Sequence, residues 1–149
     1  MILLSCQKEV ITKSETLSLK NTTLKSIGND SKYDASASQN HKPVTITAVY
    51  NFSTFPNVSG TFTTTGALNT SGTTTMAINP NANGTRAHCV IVLTSELGTI
   101  TIHQECEFAT SPAKGQWQIV DGTGAYANLK GNGSLLMPPN TEAMSGVIY

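Results

Sequence analysis

The sequence contains few charged residues and no excess of either sign. Its 149 residues include nine Lys or Arg and nine Asp or Glu, so the formal net charge is zero. Proteins that bind nucleic acid through phosphate contacts carry a clustered basic surface, and this composition supplies none. We therefore exclude nucleic-acid partners, and also an electrostatic attraction of the polypeptide to an anionic membrane surface.

Familiar catalytic motifs are missing as well. The chain has no G-x-S-x-G elbow, no H-E-x-x-H pair and no catalytic Cys–His signature. The pattern Gly122-x-Gly124-x-x-Ala127 has the outline of a dinucleotide-binding loop, but Gly131 and Gly133 oppose the helix that such a loop must open. We interpret the pattern as a turn that uses the access of glycine to positive φ. No cofactor is predicted.

What the sequence does contain is a series of short, Thr-rich alternating runs. Strong helix formers are scarce, and Gly, Asn and Pro separate runs of β-forming residues. At this length the chain is about one domain. A sheet of eight strands can close on itself and so remove its exposed edges. We predict an all-β domain, a closed antiparallel eight-stranded β-barrel, over residues 43–149. The eight runs are VTITAVYNFS, SGTFTTTGAL, GTTTMAI, RAHCVIVLTS, GTITIHQECEF, GQWQIV, GSLLM and EAMSGVIY.

The residues before the barrel are typical of an anchor followed by a tether. The run Leu3-Leu4-Ser5 precedes Cys6 as in the lipobox of bacterial lipoproteins, although the basic and apolar regions of a full signal peptide are incomplete. We predict that residues 1–6 are the remnant of that signal, with Cys6 as the lipidation site, and that residues 7–42 are a flexible polar linker. The alternative is a frayed N-terminus with a free thiol. The lipoprotein hypothesis predicts a bacterial cell-envelope or secreted protein that meets a membrane only through its lipid.

The hairpin around TSELGTI allows a specific prediction of register. If Leu97 and Gly98 form the turn, Cys89 faces Cys106, and two cysteines opposite each other can approach disulfide range at a non-hydrogen-bonded position. With Cys6 lipidated, these two form an even pair, as an oxidising compartment favours. The alternative is two reduced, buried thiols that act as small apolar groups.

The other face of this hairpin carries His88, His103, Glu105 and Glu107. These residue types can ligate metals, but a zinc site needs about four ligands in a tetrahedral arrangement. The predicted register instead spreads the four along the ladder, with His88 opposite Glu107. We therefore predict no metal site, and a solvated outer face with cross-strand His–Glu pairs.

The alternation also identifies candidate ligand-binding residues inside the barrel. The inward positions are mainly apolar with a few polar groups, which is the usual lining of a ligand pocket. From this set we expect Tyr50, Phe62, Gln104 and Trp117 to bind a ligand. The polar atoms of Tyr50, Gln104 and Trp117 require hydrogen-bond partners if they are buried. The same inward set would also suit a filled barrel core.

The last third of the predicted barrel carries a pattern of glycine turns around one strand: Gly98-Thr99, the run WQIV, Gly122-Thr123-Gly124, Tyr126 and Gly131. In this pattern it resembles the allene oxide cyclase and dirigent superfamily. Lys130 stands where dirigent proteins have Arg, which keeps the charge but loses the bidentate fork, and Asp121 replaces a common Gly. The resemblance implies an eight-stranded barrel with an apolar cavity, in which plant members cyclise a fatty-acid epoxide or direct radical coupling without a redox cofactor. Oligomers are common there.

Three functions are consistent with these observations. The first is a cell-envelope lipoprotein of this barrel type that binds a small apolar or amphipathic molecule. The second is a cofactor-independent cyclase or isomerase that orients its substrate in the same cavity and excludes water, with Tyr50, Gln104 or, if the faces are reversed, His103 as acid or base. The third is a filled barrel that acts as a surface interaction module.

Overall fold

The computed structural model describes residues 40–149, which form a closed antiparallel barrel of eight strands. The predicted fold class is confirmed. The predicted signal remnant with Cys6, and residues 7–39 of the predicted linker, lie outside the described residues. Within residues 40–149, no helix has the length and hydropathy needed to cross a membrane. The elements are β1 (Lys42–Asn51), η1 (Phe52–Thr54, a 3-10 turn), β2 (Asn57–Gly66), β3 (Ser71–Pro80), β4 (Arg86–Ser95), β5 (Gly98–Glu107), β6 (Ala113–Gly122), η2 (Gly124–Tyr126, a 3-10 turn), β7 (Gly131–Met137) and β8 (Thr141–Ile148).

Each strand pairs with its neighbours in sequence, and β1 closes the barrel against β8. The closing ladder runs from Lys42 opposite Ile148 to Val49 opposite Thr141. Because β1 is paired on both sides, it presents no free row of backbone groups to another chain. Strand β1 begins at Lys42, so the last residue of the predicted linker already belongs to the wall.

The interior is built from every second residue of each strand. In β1, Val44, Ile46 and Tyr50 are buried, whereas Thr45 and Val49 between them are exposed. This period of two is the pattern that the alternation predicts. Two aromatic residues next to the strands are not fully buried: Phe52 belongs to η1 and is partly buried, and Phe108 follows β5 and is 36% exposed. Both lie past the strand ends, where the alternation no longer constrains a side chain.

Threonine forms cross-strand pairs on the outer wall. Thr45 lies opposite Thr65 and Thr47 opposite Thr63 on β1 and β2, and all but the partly buried Thr47 are exposed. A β-branched side chain with a hydroxyl suits a pleated surface that faces water. The abundance of threonine in the sequence therefore serves the outside of the barrel.

The register of the β4–β5 hairpin differs from the predicted one. Ser95 pairs with Gly98, so the turn residues are Glu96 and Leu97, and every pair shifts by two positions. Ser95 Oγ accepts a hydrogen bond from Leu97 N at 3.2 Å, which stabilises this turn. Gly98 lies in the strand instead. Its φ there is 137°, and a Cβ at this position would clash with the carbonyl oxygen of Thr123, so this strand position requires glycine. A shift of two keeps every side chain on its predicted face.

The glycines between β6 and β7 form a turn, as we predicted. Gly124 has a φ of 60° and opens η2. Ala125 N donates to Leu97 O at 2.9 Å, which ties this connection to the β4–β5 turn. The pattern that resembles a nucleotide-binding loop thus forms part of a turn at one end of the barrel.

Candidate functional site

A buried carboxyl group lies at the centre of a polar cluster inside the barrel. Tyr50 Oη donates to Glu142 Oε2 at 2.9 Å, and Gln104 Nε2 donates to Glu142 Oε1 at 2.6 Å. Tyr50 comes from β1, Glu142 from the adjacent β8, and Gln104 from β5. We call these three residues the buried triad. Glu142 itself has no exposed surface.

Burial governs the ionisation of the triad. Desolvation raises the pKa of Glu142 from 4.5 to about 7, and the hydrogen bonds from Tyr50 and Gln104 oppose this rise. The pKa of Tyr50 lies far above its ordinary value, because of burial first and of the nearby Glu142 charge second. Tyr50 is therefore a permanent donor, and Glu142 changes its charge near neutral pH.

The triad lacks a cationic partner. The two ion pairs among residues 40–149 are His88 with Glu105 and Lys114 with Glu107, and both lie on the outer wall. A second polar group in the core is also unsatisfied, since Thr74 Oγ1 is buried without a hydrogen bond from the part of the chain described. Thr74 lies close enough to lower the pKa of Tyr50 slightly, but without reaching hydrogen-bonding geometry.

The two cysteines of the barrel extend this polar cluster. Cys106 Sγ donates to Gln104 Oε1 at 3.8 Å, and contact with Cys89 together with burial raises the pKa of the Cys106 thiol. Both are free, buried thiols. The predicted register that set Cys89 opposite Cys106 is wrong, because Cys89 lies opposite Gln104 and Cys106 opposite Ala87. A disulfide between these two cysteines stays a prediction.

The four predicted ligand-binding residues all lie in the packed interior. Tyr50, Phe62, Gln104 and Trp117 are exposed by 4%, 2%, 1% and 2%. Glu142 brings Tyr50 and Gln104 together, while Phe62 and Trp117 take no part in that cluster. Trp117 Nε1 donates to the carbonyl of Ser134 at 3.1 Å, so each polar side chain in the set has the partner that its burial requires.

An apolar pocket opens at the end of the barrel where β1, β3, β5 and β7 finish. Its volume is about 390 Å³. Two of its aromatic residues are well exposed, Phe55 by 59% and Phe108 by 36%. The ring of Phe52, which also lines it, lies 6.0 Å from the ring of Tyr50. We call this the end pocket, and its lining residues are Phe52, Phe55, Ile78, Pro80, Gly84, Phe108 and Met137.

The histidines and the other acidic residues of the hairpin occupy the outer wall, as predicted. His88 Nδ1 and Glu105 Oε1 are 2.8 Å apart, and the rings of His88 and His103 are 5.0 Å apart. The partner of His88 is thus Glu105 and not Glu107, because of the shifted register. No cluster of three or more His, Cys, Asp or Glu within residues 40–149 is arranged to hold a metal ion. A larger depression of about 680 Å³ beside Arg86, Glu107 and Lys114 also lies on this wall.

Glu142 is the functional candidate that the sequence predictions missed. The alternation of β8 indicates its position, because Glu142 lies an even number of residues from the buried Met144 and Ile148 and therefore points to the same face. A charged residue at an inward position is rarely buried without a reason, so strict alternation through EAMSGVIY would have identified it.

Comparison of the chain with protein-family models, with curated proteins and with solved structures finds no match. The resemblance to allene oxide cyclases and dirigent proteins has no support from these comparisons and stays a prediction.

Proposed function

We propose that the protein is a cell-envelope lipoprotein whose barrel binds a small apolar or amphipathic molecule in the end pocket. The observation that carries the proposal is the apolar end pocket with its exposed aromatic residues, Phe55 and Phe108. Its volume of about 390 Å³ falls within the range of small-molecule sites. The lipid anchor at Cys6 would hold this pocket at a membrane surface.

The site differs in position from the central cavity that we expected. The interior side chains pack against one another, and the five depressions described on the barrel all open to solvent. Burial of a ligand methylene contributes about 0.8 kcal/mol, and association costs several kcal/mol. A tail of about six carbons contributes about 5 kcal/mol before that cost, so it would bind with roughly millimolar affinity at best.

Binding of the neutral fluorophore N-phenyl-1-naphthylamine to the full chain tests the pocket. We expect saturable fluorescence enhancement, weakened about fivefold by Phe55→Ala or by Phe108→Ala, since each loses roughly 1 kcal/mol of apolar contact. Leu97→Ala is the matched control, because Leu97 is 56% exposed at the opposite end of the barrel. Equal affinity in all four proteins would refute the assignment of the pocket.

Mass spectrometry of the protein purified from its own host tests the anchor. We expect the mature chain to begin at Cys6, with a diacylglycerol thioether on its sulfur. An unmodified Cys6 would remove the argument that the protein is a cell-envelope lipoprotein.

A cofactor-independent isomerase or cyclase is the second candidate, and the Tyr50–Glu142 pair favours it. A carboxyl group with a pKa of about 7 is suited to general acid–base chemistry at neutral pH. Proton–deuterium exchange into an enolisable ketone such as 2-decanone would be faster with the native protein than with Glu142→Gln. Equal exchange rates would exclude this function for the pair.

A further inference from the structure

The Glu142 carboxylate has unused hydrogen-bonding capacity. An ionised carboxylate has about four acceptor sites, and the structure shows one hydrogen bond to each oxygen, from Tyr50 and Gln104. Burying an ionised group without an opposite charge is costly. Above the pKa of Glu142, the triad is thus an anionic site that lacks a cation among the described residues.

Thr74 adds a second unsatisfied group at the same place. Its side chain on β3 is 1% exposed, and its hydroxyl has no hydrogen-bond partner in residues 40–149. Since Thr74 also influences the pKa of Tyr50, the hydroxyl lies beside the triad. A donor that entered here would find two acceptors, Thr74 Oγ1 and Glu142.

The triad lies at the end of the barrel that carries the end pocket. Tyr50 is the second-to-last residue of β1, and Glu142 is the second residue of β8. Between them and the pocket is the ring of Phe52, 6.0 Å from that of Tyr50. Phe52 belongs to η1, so its side chain can turn aside without breaking a β-ladder.

We propose that the end pocket and the triad form one site for a primary amine with a short apolar tail. The tail occupies the end pocket, and the ammonium group displaces the Phe52 ring and donates to Glu142 and Thr74. The inference rests on the proposed function, because the same pocket holds the tail. An ammonium group has three donors and no acceptor, which matches a carboxylate and a hydroxyl that both accept.

The other titratable groups that face Glu142 add no positive charge. Tyr50 approaches from β1, Cys89 from β4 and Cys106 from β5. The raised pKa values of Tyr50 and Cys106 keep both side chains neutral. The ligand would therefore supply the only cation at the site.

Isothermal titration of the full chain at pH 8 with hexylamine, 1-hexanol and hexanoate tests the inference. We expect hexylamine to bind at least tenfold more tightly than 1-hexanol, and hexanoate to bind most weakly. Glu142→Gln should abolish the preference for the amine but keep the binding of 1-hexanol. Glu105→Gln, on the outer wall, is the control and should keep the preference.

The outcomes separate this inference from the function on which it rests. Equal binding of hexylamine and 1-hexanol to the native protein would overturn the amine site and leave the apolar pocket intact. No binding of either would overturn the pocket as well. A second measurement does not depend on the folding of the variant: hexylamine, but not 1-hexanol, should shift the carbonyl carbon-13 resonance of the Glu142 side chain. An unchanged resonance under saturating amine would refute the contact.

Discussion

Replacing Glu142 by Gln should make the free energy of unfolding less dependent on pH. The carboxyl group is fully buried, and its pKa rises from 4.5 to about 7 in the folded barrel. Between these two values the folded protein holds a proton that the unfolded chain releases. The free energy of unfolding therefore falls as the pH rises through this window.

The structure sets the size of the effect. A pKa rise from 4.5 to about 7, at about 1.4 kcal/mol per pH unit, lowers the free energy of unfolding by about 3 kcal/mol between low and high pH. Most of this loss, about 2.5 kcal/mol, falls between pH 5 and pH 8. Well below pH 4.5 the group is protonated in both states, and its contribution is constant.

Urea denaturation of both proteins from pH 5 to pH 8 measures this dependence. Across that range, the free energy of unfolding of the native protein should fall by about 2.5 kcal/mol more than that of Glu142→Gln. Both share His88, His103 and all other titratable groups, so the difference isolates Glu142. Parallel curves would show that the folded barrel leaves the carboxyl group with its unfolded pKa, and would refute the reasoning from burial.

Two further changes test the rest of the core. Thr74→Val should raise the free energy of unfolding by about 1 kcal/mol, because it replaces an unsatisfied buried hydroxyl by a methyl group of similar shape; a destabilised variant in urea denaturation would show that the hydroxyl has a partner. In a Cys6→Ser background without reductant, a thiol reagent should modify Cys89 and Cys106 only after the protein is unfolded, because both are buried. Two thiols per chain should then react, because both are free. Finding no thiol in the unfolded chain would establish the disulfide that the structure lacks.

The strands and the two faces of the barrel wall follow from local features. Each strand alternates between threonine or other polar residues and apolar residues, and Gly, Pro or Asn interrupts the pattern between strands. Alternation directs successive side chains to opposite faces, so eight such runs predicted eight strands and their two faces. The inward positions of Ile46, Met76, Ile91 and Ile102 were predictable for this reason.

The register of the β4–β5 hairpin depends on contacts beyond the hairpin. The sequence TSELGTI suits more than one turn, and the glycine suggested a turn at Leu97-Gly98. In the barrel, the connection between β6 and β7 packs against Gly98, and that contact requires glycine inside the strand. Cys89 and Cys106 are therefore not directly opposite each other as predicted, but both keep their predicted face because the shift was by two.

Local alternation is enough to predict which side chains point into the barrel, because the period of a strand is a local property of the backbone. Which of these side chains meet depends on how the sheet closes. Glu142 bonds to Gln104, 38 residues away, and to Tyr50, 92 residues away, because closure of the sheet places β1, β5 and β8 around one core. The end pocket has the same origin, since its aromatic residues come from separate connections that the closed barrel brings to one end.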